Sequence, residues 1–357
     1  VRVWISGGGG FVGSNIVRAS VDAGHETLTT AHTFVPPTDA AYQVAPVDMT
    51  DDQSVRQNIE QFDPDVVIHC AIMNDWHRMY ADREASWAAY VGATRSTVRA
   101  ARSGVDAAYV LVSTDWVFDG TQAGANEETP PNPINLYGTL KLASEMVALE
   151  AGGAVARVSG VNGLHLARPT TPRSQDRGFG YFVASIVDAL STGESFTVWE
   201  ADDINMVATP SLALECGEIM LAVGAARSDG VFHCCGADSI TRRELAELTC
   251  DVFDLDADLL QFGPPDPASM LSAPVPYDTS LTTPRTDRIL GRRATPVRDL
   301  IERFKKQYLA GTSARIGHDA SSATTDPAGT SPFASLTNRV SRPGARNIAH
   351  PRQYSGD

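Results

Sequence analysis

Cysteine is scarce and badly spaced for cross-linking: the five thiols stand at 70, 216, 234, 235 and 250, an odd number with no C-x-x-C pair. That pattern excludes a disulfide framework and implies reduced thiols in a cytoplasmic protein. Histidine is thin as well, with eight scattered copies and neither H-E-x-x-H nor a paired Cys/His motif, so no metal site is expected. Positive charge is in deficit, 29 Lys plus Arg against 43 Asp plus Glu for a formal net charge of -14. Such a chain repels phosphate backbones and anionic surfaces at long range, so neither nucleic acid nor a membrane is an expected partner. No apolar run reaches the roughly 18 residues of a membrane span. The opening "VRVWISGGGG" breaks into glycines too early for the apolar region of a secretory signal.

What is present is a long chain, 357 residues of which 43% are hydrophobic, enough to bury a full core. Strand-like runs alternate with helical patterns: "VRVWIS", "ETLTT", "YQVAPV", "DVVIHCA", "AAYVLVS" and "AVARVS" are separated by helices, one of them long, from about Glu84 to Ser103. The runs are apolar on both faces, as in parallel strands covered by helices on either side. The expected class is α/β, a Rossmann-type doubly wound parallel sheet with a smaller C-terminal substrate lobe. The domains read as 1–160 for dinucleotide binding, 161–310 mainly for the substrate lobe, and 311–357 as a disordered tail rich in Ser, Thr, Ala, Gly, Pro and Arg. A last helix is expected over "TPVRDLIERFKKQYL", with Thr295 as its N-cap and Pro296 in its first turn.

"ISGGGGFVGSNIV" sets Gly7, Gly10 and Gly13, with Phe11 and Val12, between the first strand and the first helix. Glycines suit a tight turn, the approach of a pyrophosphate to backbone, and close helix–strand packing, while the helix N-terminus offers free N–H groups. A merely flexible turn is the alternative; position at the start of a βαβ series favours the dinucleotide. The second strand ends Thr29-Thr30-Ala31-His32 without a carboxylate, which favours NADP over NAD and puts His32 near a 2′-phosphate, although no arginine stands there either. Asp48 and Met49 end the third strand, where Asp48 accepts from an adenine amino group or caps the next helix. Cys70, Ala71 and Met73 follow the fourth strand on the cofactor side. His69 reads as a strand-end residue satisfied by backbone.

"NLYGTLKLASE" places Tyr137 and Lys141 four apart on one helical face. A nearby ammonium favours the phenolate and lowers the phenol's pKa. Ser113, Thr114 and Asp115 end the fifth strand, at the edge where open α/β sheets bind ligands. There Thr114 donates to a substrate carbonyl oxygen while Tyr137 supplies the proton.

The glycine spacing G-x-x-G-x-x-G resembles the extended short-chain dehydrogenase/reductase superfamily. "VSTDWVFDG" followed by "NLYGTLKLASE" is similar to the dTDP-4-dehydrorhamnose reductase family, a likeness running over about 1–308 and including "RVSGVNG" and "YDTSL". The resemblance implies Thr114, Tyr137 and Lys141 as catalytic, Asp115 at the substrate, a glycine loop for NADPH or NADH, and Ser113, Tyr137 and Lys141 also on the cofactor side. It implies a nucleotide-sugar substrate and leaves a homodimer open; its interface metal finds no ligand set here. Related dehydratases carry an acid where this chain has Trp116, which points to simple reduction. Three segments depart from the family pattern: Gly92 replaces a supporting asparagine, "INMVATPSLA" a Gly-Ser-Pro-Thr segment, and "MNDWHRMY" an A-Y-T-x-V-D segment. Arg157, Arg173, Arg177 and Tyr181 are candidates for a diphosphate clamp or for solvated loops, and Trp76 and Trp199 for stacking or packing. Two other readings stay open: a cofactor-binding regulatory subunit, similar to the methionine adenosyltransferase β subunit, and an epimerase that keeps its nicotinamide.

Overall fold

A computed structural model describes residues 1–32, 41–169, 175–265 and 273–318. Of the tail expected over 311–357, residues 311–318 are helical as the end of the last helix, and the rest of it, with Arg173, lies outside the described residues. The first half runs β1 (Arg2–Ser6), α1 (Phe11–Asp22), β2 (Glu26–Ala31), β3 (Gln43–Pro46), α2 (Asp52–Phe62), β4 (Val66–His69), α3 (Trp76–Ala81), α4 (Arg83–Trp87), α5 (Ala93–Ser103), β5 (Ala108–Thr114), α6 (Leu136–Glu150) and β6 (Ala154–Val158). The second half adds β7 (Val161–Asn162), α7 (Phe182–Leu190), β8 (Phe196–Trp199), β9 (Val207–Ala208), β10 (Ser211–Leu212), α8 (Ala213–Ala225), β11 (Gly230–Cys234), β12 (Ile240–Thr241), α9 (Arg242–Phe253), β13 (Leu260–Gly263), β14 (Asp278–Thr279), α10 (Pro284–Leu290) and α11 (Val297–His318).

Seven strands form one parallel sheet in the order β11-β6-β5-β4-β1-β2-β3. Val3, Trp4 and Ile5 of β1 are all fully buried, because helices cover both faces, and each such large side chain removed from water contributes about 1.5–3 kcal/mol. On one face Ile16 and Val17 of α1 meet Ile219, Met220 and Val223 of α8. A Cβ at Gly217 would lie 3.0 Å from the Ile16 Cα, so that glycine lets the two helices touch. On the other face Ile59, Val98 and Ala148 of α2, α5 and α6 pack with Trp4, Tyr109 and Val155. The order reverses between β1 and β4, and the crevice at that switch point is where such sheets take ligands.

α8 and β11 lie within 161–310 yet belong to the sheet layer, since β11 pairs with β6. The remaining pieces of 161–310 have a core of their own, which joins Phe182, Ile186, Val198, Leu245 and Phe304. The long helix at 84–103 is present but interrupted: a π turn at Ala88–Gly92 separates α4 from α5. The last helix starts at Val297 and Thr295 does not cap it; Thr295 donates to Glu215 at 2.8 Å, and Asp238 accepts the Val297 N–H at 2.8 Å instead.

Candidate active site

β1 runs straight into the glycine loop. Gly7 has φ +78°, and a Cβ there would lie 2.9 Å from the Ala71 Cα; at Gly13 it would lie 2.1 Å from the Gly7 carbonyl oxygen. Both positions therefore require glycine. Gly10 caps α1 without a side-chain bond, so with Phe11 and Val12 in the first turn the helix offers its N–H groups to an anion. Thr29 and Thr30 accept the Gly8 and Gly7 N–H groups at 3.0 and 3.2 Å, so their hydroxyls brace the loop. This tight cradle over an open helix end fits a dinucleotide pyrophosphate.

His32 is exposed, with Nε2 3.9 Å from Asp48 Oδ2. The sequence argument for NADP rested on the missing carboxylate of β2, and the neighbouring strand brings one in. Asp48 is not the helix cap: Asp51 caps α2, accepting from Gln53 and Ser54, while Asp48 Oδ1 accepts the Thr50 hydroxyl and N–H at 2.7 and 2.9 Å. Those bonds hold its carboxyl below the usual range, with His32 adding a smaller pull. Met49 packs in the core beside Thr30.

At the end of β4 the Ser6 hydroxyl accepts the Cys70 and Ala71 N–H groups at 2.9 and 3.0 Å and meets His69 Nδ1 at 2.7 Å. His69 is thus satisfied by a side chain rather than by backbone. Burial, with Lys141 adding to it, lowers its pKa to about 3, so it stays neutral and is no general base. Cys70 stands between Gly13 and Lys141, and burial pushes its thiol up to about 11. The Met73 carbonyl accepts the Tyr90 hydroxyl at 2.9 Å.

α6 starts at Asn135, whose side chain accepts the Gly138 N–H at 2.8 Å, and this cap sets the register that places Tyr137 and Lys141 over the ends of β4 and β5. The Tyr137 ring lies 5.5 Å from Trp76, 6.0 Å from Trp116 and 6.2 Å from Tyr90. The expected lowering of its pKa is not found: burial raises it, Asp115 and Cys70 add to the rise, and a side-chain hydrogen bond with Thr114 opposes it. Lys141 is buried and donates to the Val112 carbonyl at 2.9 Å; burial lowers it to about 8, against the opposing pull of Cys70 and Glu145.

Thr114 caps the 3-10 turn after β5, accepting the Trp116 N–H at 3.2 Å, and donates to Asp115 Oδ1 at 3.0 Å. Asp115 follows as the first residue of that turn. Its carboxylate points inward, where Ser159 donates to Oδ2 at 2.8 Å, and burial raises its pKa to about 6 against hydrogen bonds with Thr279, Ser159 and Thr114. Folding thus disfavours the charged form. The penalty is absent below the unfolded value of 3.8 and complete above about 6, so stability falls as pH rises through that window, by about 3 kcal/mol at most. Asp115→Asn is expected to flatten this stretch of the stability–pH curve, as followed by urea melts from pH 4 to 7; an unchanged slope would exclude Asp115 as its source.

Ser113 donates not toward the crevice but to Glu145, which also holds Arg157 through two bonds of 2.9 and 2.7 Å. Arg157 is buried in that ion pair and unavailable as a phosphate clamp. Arg177 is likewise buried, donating to the Ala273 carbonyl at 3.0 Å. The Tyr181 ring meets Phe11 at 4.4 Å and 38°, joining the segment before α7 to the glycine loop. Trp76 reaches the tyrosine cluster, whereas Trp199 lies in β8. Sequence reasoning missed Tyr90 and Glu145. It quoted Ser159 and Thr279 without seeing that they converge on Asp115. Among the described residues no cluster of His, Cys, Asp and Glu is arranged to hold a metal, and no helix is long and apolar enough to cross a membrane.

Known proteins are similar to this chain in sequence and in fold. A probable low-salt glycan biosynthesis reductase of Haloferax volcanii is 30% identical over 72% of this chain and 82% of its own. The methionine adenosyltransferase 2 subunit beta of Xenopus tropicalis is 27% identical over 71% and 73%. A solved hypothetical dTDP-4-dehydrorhamnose reductase of Sulfolobus tokodaii superposes with TM-score 0.66 at 26% identity, covering 84% of this chain and all but 2% of that one, which it matches over 98%. A Bacillus anthracis dTDP-4-dehydrorhamnose reductase in complex with NADP superposes at 0.64 and 20% identity, covering 85% and 98%. The family model described as the RmlD substrate binding domain matches residues 1–309, and the chain belongs to that family.

Proposed function

We propose that this protein is an NAD(P)H-dependent reductase of a 4-keto nucleotide sugar. The convergence of Thr114, Tyr137 and Lys141 beside a glycine cradle supports this reading. A bound nicotinamide supplies the hydride to the carbonyl carbon. The residues do the rest: the Thr114 hydroxyl donates to the carbonyl oxygen, the Tyr137 phenol gives that oxygen its proton, and Lys141 supports the phenolate left behind. A phenol kept protonated by burial is matched to a proton donor. Gly7, Gly10, Phe11, Val12 and Gly13 hold the pyrophosphate, His32, Asp48 and Met49 flank the adenosine end, and Cys70, Ala71 and Met73 line the passage to the nicotinamide, while Ser113, turned to Glu145, supports the strand end from behind. His32 beside Asp48 suits either cofactor.

The test is cofactor consumption at 340 nm over a panel of 4-keto nucleotide sugars, with NADPH and NADH in parallel. Turnover with one panel member is expected. The β-subunit relatives favour a second reading, a cofactor-binding regulatory subunit. Tight nicotinamide binding by calorimetry, a stable protein partner and no turnover would establish it instead. Interconversion of two nucleotide sugars without net cofactor loss would mark an epimerase.

A further inference from the structure

The helix over 83–103 carries one irregularity, the π turn at Ala88–Gly92. π turns inside helices cost hydrogen-bond geometry and occur often at functional sites. This one turns Tyr90 inward, 2% exposed, into the space beside Tyr137 and Lys141. The Tyr90 hydroxyl is tied to the Met73 carbonyl at 2.9 Å. Its ring meets Tyr137 edge to face at 6.2 Å and 80°, and the Lys141 ammonium lies over it at 5.7 Å. An ammonium within about 6 Å of an aromatic face is attracted by the ring quadrupole. The other contacts of Lys141 leave this face as a distinct support: one N–H goes to the Val112 carbonyl, and an ammonium has three.

We infer that Tyr90 is a positioning residue, whose ring holds the buried Lys141 ammonium charged and directed along α6 toward Tyr137. The titratable groups around the pair are His69 and Cys70 from the end of β4, Glu145 from α6, and Asp115 from the turn after β5. His69 is neutral and Cys70 protonated near neutrality, Asp115 acts on Tyr137, and Glu145 is engaged by Arg157 and Ser113. Desolvation drives Lys141 toward its neutral form against the pull of Cys70 and Glu145, and the ring face at 5.7 Å adds a further attraction for the ammonium. The hydroxyl tether to Met73 fixes the ring's tilt.

The chain has only three lysines, at 141, 305 and 306, so lysine 13Cε NMR resolves the Lys141 titration in ligand-free protein. Burial, which lowers the Lys141 pKa to about 8, sets the expected midpoint. Tyr90→Leu is expected to lower it by about half to one pH unit, and Tyr90→Phe, which keeps the ring, to leave it in place. Tyr90→Met, closer in length and flexible enough to fill the site, repeats the measurement if the leucine variant fails to fold. A midpoint unmoved in the leucine or methionine variant overturns the inference, as does a phenylalanine variant that shifts as far as they do. The kinetic arm rests on the reductase reading: kcat falls about two- to fivefold in Tyr90→Leu with KM unchanged and returns in Tyr90→Phe. The NMR arm needs no substrate, so absence of turnover bears on the reductase reading while the midpoint still decides the role of Tyr90.

Discussion

Tyr137→Phe is expected to lower kcat for ketone reduction by about 10²- to 10⁴-fold, the range for losing a positioned proton donor. Phenylalanine keeps the ring and with it the contacts to Trp76, Trp116 and Tyr90. Loss is therefore confined to the hydroxyl, which bonds with Thr114, and to the proton it carries. Cofactor affinity by calorimetry and the urea midpoint should stay near wild type, because the glycine cradle and the core are untouched. The wild-type rate should fall above pH 8, where Lys141 with its pKa of about 8 loses its charge, since a phenolate is then left without its cation. The residual rate of the variant should not follow that limb, because it forms no phenolate. Full turnover in the variant would remove Tyr137 from the proposed role.

Much of this arrangement is legible in the chain because the physics behind it is local. Runs such as "AAYVLV" are apolar at every position, as suits a strand covered on both faces, and β5 is buried throughout. Gly7 and Gly13 are legible for the same reason, since the approaches of 2.9 and 2.1 Å admit no side chain. Tyr137 and Lys141 follow from a helical spacing of four. What the sequence hides depends on register or on elements far apart in the chain. Tyr90 escapes because the π turn breaks the 3.6-residue period that would assign its face. Asp48 and Asp51 are both plausible caps by type, and only the start of α2 at Asp52 decides between them. β11 looks like part of a separate lobe until its pairing with β6 is seen. Arg157 reads as a phosphate ligand because a lone arginine in "AVARVS" shows nothing of the carboxylate on the helix before it.

That carboxylate carries the second large effect. Pairing of β5 with β6 sets Ser113 opposite Arg157, and α6 lays Glu145 against both, so one acid takes the serine hydroxyl and two guanidinium bonds. The side chains are 1% and 3% exposed, and the Arg157 Cζ sits 5.2 Å over the Phe118 ring. Glu145→Ala strands a buried guanidinium and is expected to cost about 3–5 kcal/mol, read as a lowered urea midpoint at unchanged m-value. Replacing both partners by apolar residues of similar length, Glu145→Leu with Arg157→Met, removes the stranded charge. It should recover most of that loss or exceed wild type. A cost for the single variant below about 1 kcal/mol would place the pair in the range of solvated ion pairs and contradict its burial. If the double variant is stable yet kcat drops, the pair serves to aim the Ser113–Thr114 strand end at the crevice rather than to hold the fold together.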